Sequence, residues 1–248
     1  MTLEQFFAEN REVAIAFSGG VDSAYLLYAA TRYAARVKAY YVNTAFQPEF
    51  ELADARRLAD ELGADMLVLH VDVLSNSAVT ANPSDRCYHC KNTLFRQILR
   101  AAENDGFPVL LDGTNASDDA SDRPGMRALR ELSVRSPLRE CGLTKAEIRR
   151  LSREAGLFTW DKPAYACLAT RIRTGEEITL QKLKQTEKAE GFLFGLGLRD
   201  FRVRMVGNTA KLELREADLP LLLENREKIV TELRKDYDSV LLNLEVRK

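Results

Sequence analysis

Val13-Ala14-Ile15-Ala16-Phe17-Ser18-Gly19-Gly20-Val21-Asp22-Ser23 decides how this chain is read. Residues 13–17 form a short apolar run suited to a buried strand, and Leu26, Leu27 and Ala30 then recur at helical spacing. The order is strand, tight loop, helix. Gly19 and Gly20 let the backbone approach an anion, and the helix start offers N–H groups to it. Ser18 and Ser23 can add hydroxyl hydrogen bonds. Asp22 would repel a bare phosphate, so it suits a magnesium ligand or a brace of the loop. The loop lacks the Gly-Lys-Ser/Thr ending of the common phosphate loop.

Outward from this loop the alternation continues. Residues 37–42 read as a strand, 49–62 as a helix closed by Gly63, and 66–71 as another strand. Asn82, Pro83, Ser84 and Asp85 break the chain before a helical stretch over 86–103, and 109–111 supply a further buried strand. Strands alternating with helices predict an α/β fold around a parallel sheet. The polar segment 112–125 opens directly after a strand. Parallel-sheet geometry therefore puts Gly113, Thr114 and Asn115 at the same carboxyl edge as the first loop, with Asp118 and Asp119 available to a metal and Arg123 to a phosphate or carboxylate.

Thr144 and Glu147 form a capping box that opens a helix running to about Gly156, and 160–175 is irregular. Beyond 176 the character changes to a helix over 180–193, two strands around Gly207-Asn208, a helix over 219–235 and a strand over 240–246. The expected division is a nucleotide domain over 1–175 and a small α+β domain over 176–248.

Composition narrows the function classes. The 248 residues carry 36 Lys and Arg against 37 Asp and Glu, a formal charge of −1 that gives no general attraction for nucleic acid or an anionic membrane. No run approaches the roughly 20 apolar residues of a membrane span. The first residues carry acids early and lack a long apolar core, so neither a secretory signal nor a transit peptide is expected, and the expected location is cytoplasmic. In a reducing compartment a close pair of cysteines serves metal ligation or catalysis rather than a disulfide.

That pair is Cys87-Tyr88-His89-Cys90, at or just before a helix start, and Cys167 lies far along in the irregular segment. Three thiolates are an incomplete set for structural zinc, which would need His70, His89 or Cys141 as well. A [4Fe–4S] cluster held by three cysteines keeps one iron open to an exogenous ligand such as hydrosulfide. A redox pair or simply buried thiols would use the same residues. Cys141 sits in a loop with no motif around it.

The loop matches the SGGxDS loop of the ATP pyrophosphatases, the PP-loop or adenine nucleotide alpha hydrolase-like class. AFSGGVDS, RCYHCK, DGTNASD, RPG, SPL, LTKAEIR, WDKPAYACLATRI and FRVRMVG follow one another along nearly the whole chain. In that series the sequence resembles the LarE family of ATP-dependent sulfur transferases, which build the nickel-pincer nucleotide cofactor.

The resemblance implies that ATP with Mg2+ adenylates a carboxylate of a pyridinium dicarboxylate mononucleotide, and that sulfur from sulfide or a persulfide donor then gives a thiocarboxylate. Ser18, Gly19, Gly20, Asp22, Ser23, Gly113, Thr114, Asn115 and Arg123 would hold the nucleotide. Cys87, Cys90 and Cys167 would hold a [4Fe–4S] cluster, Cys167 alternatively giving up its own sulfur. Arg171 would neutralise the acyl-adenylate phosphate or the substrate carboxylate. Arg202 and Arg204, alternating on one strand face, would hold the substrate phosphate, and Glu190 and Glu213 would join an acidic cluster at a subunit junction of a homo-oligomer. Two other readings share these residues: a tRNA-thiolating enzyme with the same loop and cluster, and an amidating ligase with a structural zinc.

Overall fold

The computed structural model describes residues 1–118 and 124–247. In chain order the first elements are α1 (Leu3–Glu9), β1 (Glu12–Phe17), α2 (Val21–Tyr33), β2 (Arg36–Asn43), α3 (Glu49–Leu62) and β3 (Met66–His70). Then come α4 (Ser77–Thr80), α5 (Arg86–Asn104), β4 (Val109–Leu111), α6 (Pro124–Glu131), α7 (Pro137–Glu140) and α8 (Lys145–Glu154). The last are α9 (Leu180–Gly195), β5 (Phe201–Val206), β6 (Thr209–Leu214), α10 (Leu219–Glu224), α11 (Arg226–Leu233) and β7 (Ser239–Leu242).

Two units divide these elements: Met1–Val73 with Asp85–Tyr165, and Leu74–Ser84 with Ala166–Lys248. The division thus falls earlier than 175/176, and the short segment around α4 belongs with the second unit.

The first unit is built on a parallel sheet in the order β3-β2-β1-β4. Its central strand explains the sequence pattern. Val13, Ala14 and Ile15 are all 0% exposed, because successive side chains of β1 enter opposite cores. Val13, Ile15 and Phe17 pack in one core with Leu26, Leu27, Leu58 and Leu138, whereas Ala14 packs in the other with Tyr40, Ile98 and Leu110. Helices on both faces of a parallel sheet are the arrangement expected of alternating strands and helices. With the strands parallel, the loops after β1 and β4 leave the sheet at its carboxyl edge.

The second unit carries the sheet β5-β6-β7, with β5 and β6 antiparallel and β6 and β7 parallel. Phe201, Val203 and Met205 are buried while Arg202 and Arg204 face the other way, the period of two expected of a one-sided strand. The α4 segment is stitched to residues 172–178. Gly175 N donates to Asn82 O at 2.8 Å, Ile178 N to Thr80 O at 2.8 Å, and the Asn82 amide to Arg173 O at 2.8 Å.

Three local readings change. The stretch 219–235 is two helices, because the Asn225 amide turns back to Leu221 O at 3.0 Å and closes α10 before α11 starts. The segment read as a polar loop over 112–125 runs into α6, which begins at Pro124. The last strand starts at Ser239 and ends at Leu242, short of 246.

Candidate functional site

The loop between β1 and α2 is held by its own small residues. Gly19 has φ +72, a conformation that L side chains rarely adopt, and a Cβ there would crowd the Ala55 Cβ of α3 at 3.3 Å. Ser18 and Ser23 hydroxyls lie 3.0 Å apart, and Ser23 also donates to Gly20 O at 3.1 Å. Gly20 is the N-cap of α2, and among the described residues no side chain caps that helix. Its first-turn N–H groups are therefore available to an anion. Asp22 pairs through Oδ2 with Lys145 Nζ at 2.5 Å, while Oδ1 is buried and has no hydrogen-bond partner among the described residues.

The loop after β4 presses directly on this turn. A Cβ on Gly113 would stand 2.9 Å from Ser23 N, 3.2 Å from Ser23 Cα and 3.3 Å from Asp22 C, all backbone atoms that cannot give way. Asp112 is buried and ties the loop together, accepting from Ser136 Oγ at 2.6 Å, Thr114 Oγ1 at 2.5 Å and Thr114 N at 3.3 Å. Asn115 Oδ1 accepts from Ser117 N at 2.8 Å, and Ser117 Oγ accepts from Lys145 N at 3.0 Å. The start of α8 thus joins both loops, and Lys145 stands where all three meet. Arg123 and Asp119 lie outside the described residues.

A narrow cleft of about 140 Å³, partly open to solvent, begins at Ser18 and runs between β2 and α5. Phe17, Tyr41, Val42, Gln47 and Phe95 contribute to its walls. Such an apolar slot ending at a phosphate loop suits a flat, weakly polar ring.

The cysteines are placed as follows. Cys87 and Cys90 lie in the first turns of α5, three residues apart and so on one side of the helix, with Cys87 exposed and Cys90 half-buried. The guanidinium of Arg86 comes to 3.8 Å from Cys87 Sγ. The Tyr88 hydroxyl donates to Glu131 at 2.7 Å, and Arg127 lies 3.9 Å over the Tyr88 ring, so α6 braces this turn. Cys167 is half-buried in the second unit, at the start of a 3-10 turn over Leu168–Arg171. None of the four cysteines is in a disulfide. Burial pushes the Cys141 thiol up, which suits an inert position.

In the second unit Arg171 is buried, its side chain 1% exposed, and bonded bidentately to Glu190. Arg204 donates to Glu213 at 2.7 Å and to Thr170 O at 2.6 Å. Arg202 beside it makes no such bond among the described residues. Burial, then the charges of Arg247, Arg171 and Arg204, lower its pKa.

Comparisons with known proteins settle the family. A family model described as asparagine synthase matches residues 4–119, the stretch from α1 through both loops. An uncharacterized protein of Synechocystis sp. is 40% identical over 86% of this chain and 80% of its own. The pyridinium-3,5-bisthiocarboxylic acid mononucleotide synthase of Lactiplantibacillus plantarum is 32% identical over 94% of this chain and 85% of its own. The chain belongs to the pyridinium-3,5-bisthiocarboxylic acid mononucleotide synthase family. A tRNA-specific 2-thiouridylase of Thermotoga petrophila is 27% identical, but over 59% of this chain and 52% of its own. The α/β fold with its PP-loop is thereby established for this synthase-family chain.

For this member of the synthase family, the residues fit some expected ligands more fully than others. Gly19, Gly20 and the open start of α2 fit a nucleotide phosphate. The orphaned buried oxygen of Asp22 fits a magnesium ion, which characteristically takes one or two carboxylates plus phosphate oxygens. Three thiols fit an iron–sulfur cluster in donor chemistry. Among the described residues, however, no group of three or more His, Cys, Asp and Glu side chains is gathered for a metal. Among the described residues no helix is long and apolar enough to cross a membrane.

The position of Arg171 does not support the part expected for it. Its guanidinium is spent on Glu190 and on backbone inside the second unit, so it is not offered to a phosphate. Glu190 and Glu213 pair with Arg171 and Arg204 within the chain. Two contributors went unnoticed in the sequence. Lys145 is the lysine of LTKAEIR, and its place at the start of a capped helix was the available signal. Lys162, of WDKPAYACLATRI, is nearly buried between Glu51 and Asp54, at 3.3 and 2.7 Å, and holds the segment before Cys167 against α3.

Proposed function

We propose that this enzyme is an ATP-dependent sulfur transferase of nickel-pincer cofactor synthesis, acting on a pyridinium dicarboxylate mononucleotide. The 32% identity along nearly the whole chain to a pyridinium-3,5-bisthiocarboxylic acid mononucleotide synthase carries this reading. The chemistry is a two-step exchange. A substrate carboxylate oxygen attacks the α-phosphorus of ATP, the bond to the β-phosphate oxygen breaks, and pyrophosphate leaves. A sulfur nucleophile then attacks the acyl carbon of the adenylate, AMP leaves with the original oxygen, and a thiocarboxylate remains.

The chain's own residues serve the first step. Ser18, Gly19, Gly20 and Ser23 with the α2 N–H groups receive the phosphates, and the cleft beside Ser18 receives the adenine. Asp22 would hold Mg2+ through its unpartnered oxygen. Lys145 balances the Asp22 charge until nucleotide arrives and then offers its ammonium to the departing pyrophosphate. Gly113 keeps the second loop tight against Ser23, and Thr114 and Asn115 shape that loop. Arg202 is the arginine left for the substrate phosphate, whereas Arg204 steadies the turn carrying Cys167.

Cys87, Cys90 and Cys167 would hold a [4Fe–4S] cluster, which would supply sulfide-level sulfur to the exchange. The reading includes a homo-oligomer, as the family resemblance implies. Partial similarity to a tRNA thiolase favours tRNA as the second reading. Anaerobic purification with iron, sulfide and zinc quantified tests the cofactor: about four irons per chain are expected, and one zinc without sulfide would point to the amidating alternative. Salt-sensitive tRNA binding by the same preparation would revive the tRNA reading.

A further inference from the structure

Arg171 and Glu190 form a bidentate pair with side chains 1% and 2% exposed, Nε to Oε1 at 2.7 Å and Nη2 to Oε2 at 3.0 Å. Burying two charges carries a large desolvation penalty that their attraction does not always offset, and well-packed apolar residues in such places are often as stabilising or more so. Stability alone therefore does not explain the pair. Its other bonds do. Arg171 Nη1 donates to Ala166 O at 3.1 Å and to Thr170 Oγ1 at 2.8 Å, the residues on either side of Cys167-Leu168-Ala169. Thr170 in turn donates to Cys167 O, from Oγ1 at 2.8 Å and from N at 2.9 Å. Glu190, on α9, also accepts from Val203 N of β5 at 2.9 Å. One guanidinium thus spans both ends of the Cys167 turn, and one carboxylate ties it to a helix and a strand at once.

We propose that Arg171 and Glu190 are positioning residues that fix the direction of the Cys167 thiol by clamping the turn that carries it. The importance of that direction rests on the reading of Cys167 as a sulfur-transfer residue, but the clamp itself can be tested without any activity.

Two full-length variants test it, Glu190→Gln and the paired Arg171→Met/Glu190→Met. The first leaves a buried guanidinium without its counter-charge. The second removes both charges and keeps apolar bulk, so its fold is expected to persist. The readout is the rate at which N-ethylmaleimide modifies each thiol, followed by peptide mass spectrometry, with Cys141 of the first unit as internal reference and circular dichroism as the check on folding. A change of about tenfold or more in the Cys167 rate is expected in both variants, as local opening is uncoupled from global unfolding, with Cys141 unchanged. Parental Cys167 rates in both variants, equal changes at Cys141 and Cys167, or loss of the fold in both would each overturn the proposal. In turnover, the variants should lower kcat for sulfur insertion while KM for ATP stays at the parental value. Altered thiol rates with unaltered kcat would uphold the clamp and count against the use of Cys167.

Discussion

The nucleotide loop after β1 and the Cys167 turn are both short, irregular and chemically equipped, yet they are held by opposite means. The loop rests on glycines, serine hydroxyls and backbone pressed against backbone, with one half-exposed ion pair, Asp22 to Lys145. The turn rests on a buried guanidinium and two carboxylates. The contrast has a physical sense. A loop that receives a polyanion must leave N–H groups unpaired and its cation replaceable, whereas a turn presenting a single thiol gains from having no freedom at all.

Removing the loop's carboxylate should produce the largest effect. Asp22→Ala is expected to cut AMP formation at least about a hundredfold, with iron content unchanged; iron lost along with AMP would show that loop and thiols are not separate devices. Cys87→Ala gives the complementary result, in which iron and sulfur insertion disappear while ATP is still converted to AMP in the presence of substrate. Unchanged iron would remove Cys87 from the ligand set.

Gly113→Ala sharpens the comparison at the loop. The new Cβ must displace the Ser23 and Asp22 backbone, and overpacking of this kind costs about 1–3 kcal/mol. A rise in KM for ATP of about tenfold is the expected outcome, with Cys167 alkylation at the parental rate.

The smallest effect concerns pH at the turn. Burial raises the Glu213 pKa, but hydrogen bonds and charge from Arg204 and then Lys211 outweigh it, leaving the carboxyl below its usual range. A depressed acid contributes stability above its unfolded pKa and loses it as pH falls through the folded value. Acidification below the ordinary carboxylate range should therefore loosen the Arg204 tie and lower the thermal midpoint, by less in Glu213→Gln than in the parent. Equal acid sensitivity in the two would remove Glu213 from the account.

Much of the first unit was legible because its signals are local. The residues from Val13 to Ser23 name a strand, a loop and a helix by themselves, and the alternation over β2, α3 and β3 repeats the message. The second unit shows where locality ends. Glu190 lies on a helix among charged residues, and the resemblance places it in an acidic cluster at a subunit junction; only the distant Arg171 and Val203 reveal it as buried. Arg171 stands four residues after Cys167, and the resemblance offers it as a substrate contact, while its burial against Glu190 lies beyond any local signal. The helix over 219–235 gave an unbroken pattern, while its break depends on how one asparagine amide turns. Short helices such as α4 and α7 span barely one turn and leave no period to find.

The most direct test of the central claim is one reaction. The anaerobically prepared enzyme is incubated with MgATP, sulfide and a pyridinium dicarboxylate mononucleotide, and mass spectrometry follows the substrate while AMP and pyrophosphate are counted. Exchange of a carboxylate oxygen for sulfur, with one AMP per sulfur inserted, is the predicted result. AMP formed without sulfur in the nucleotide, or sulfur appearing instead in added tRNA, would contradict it.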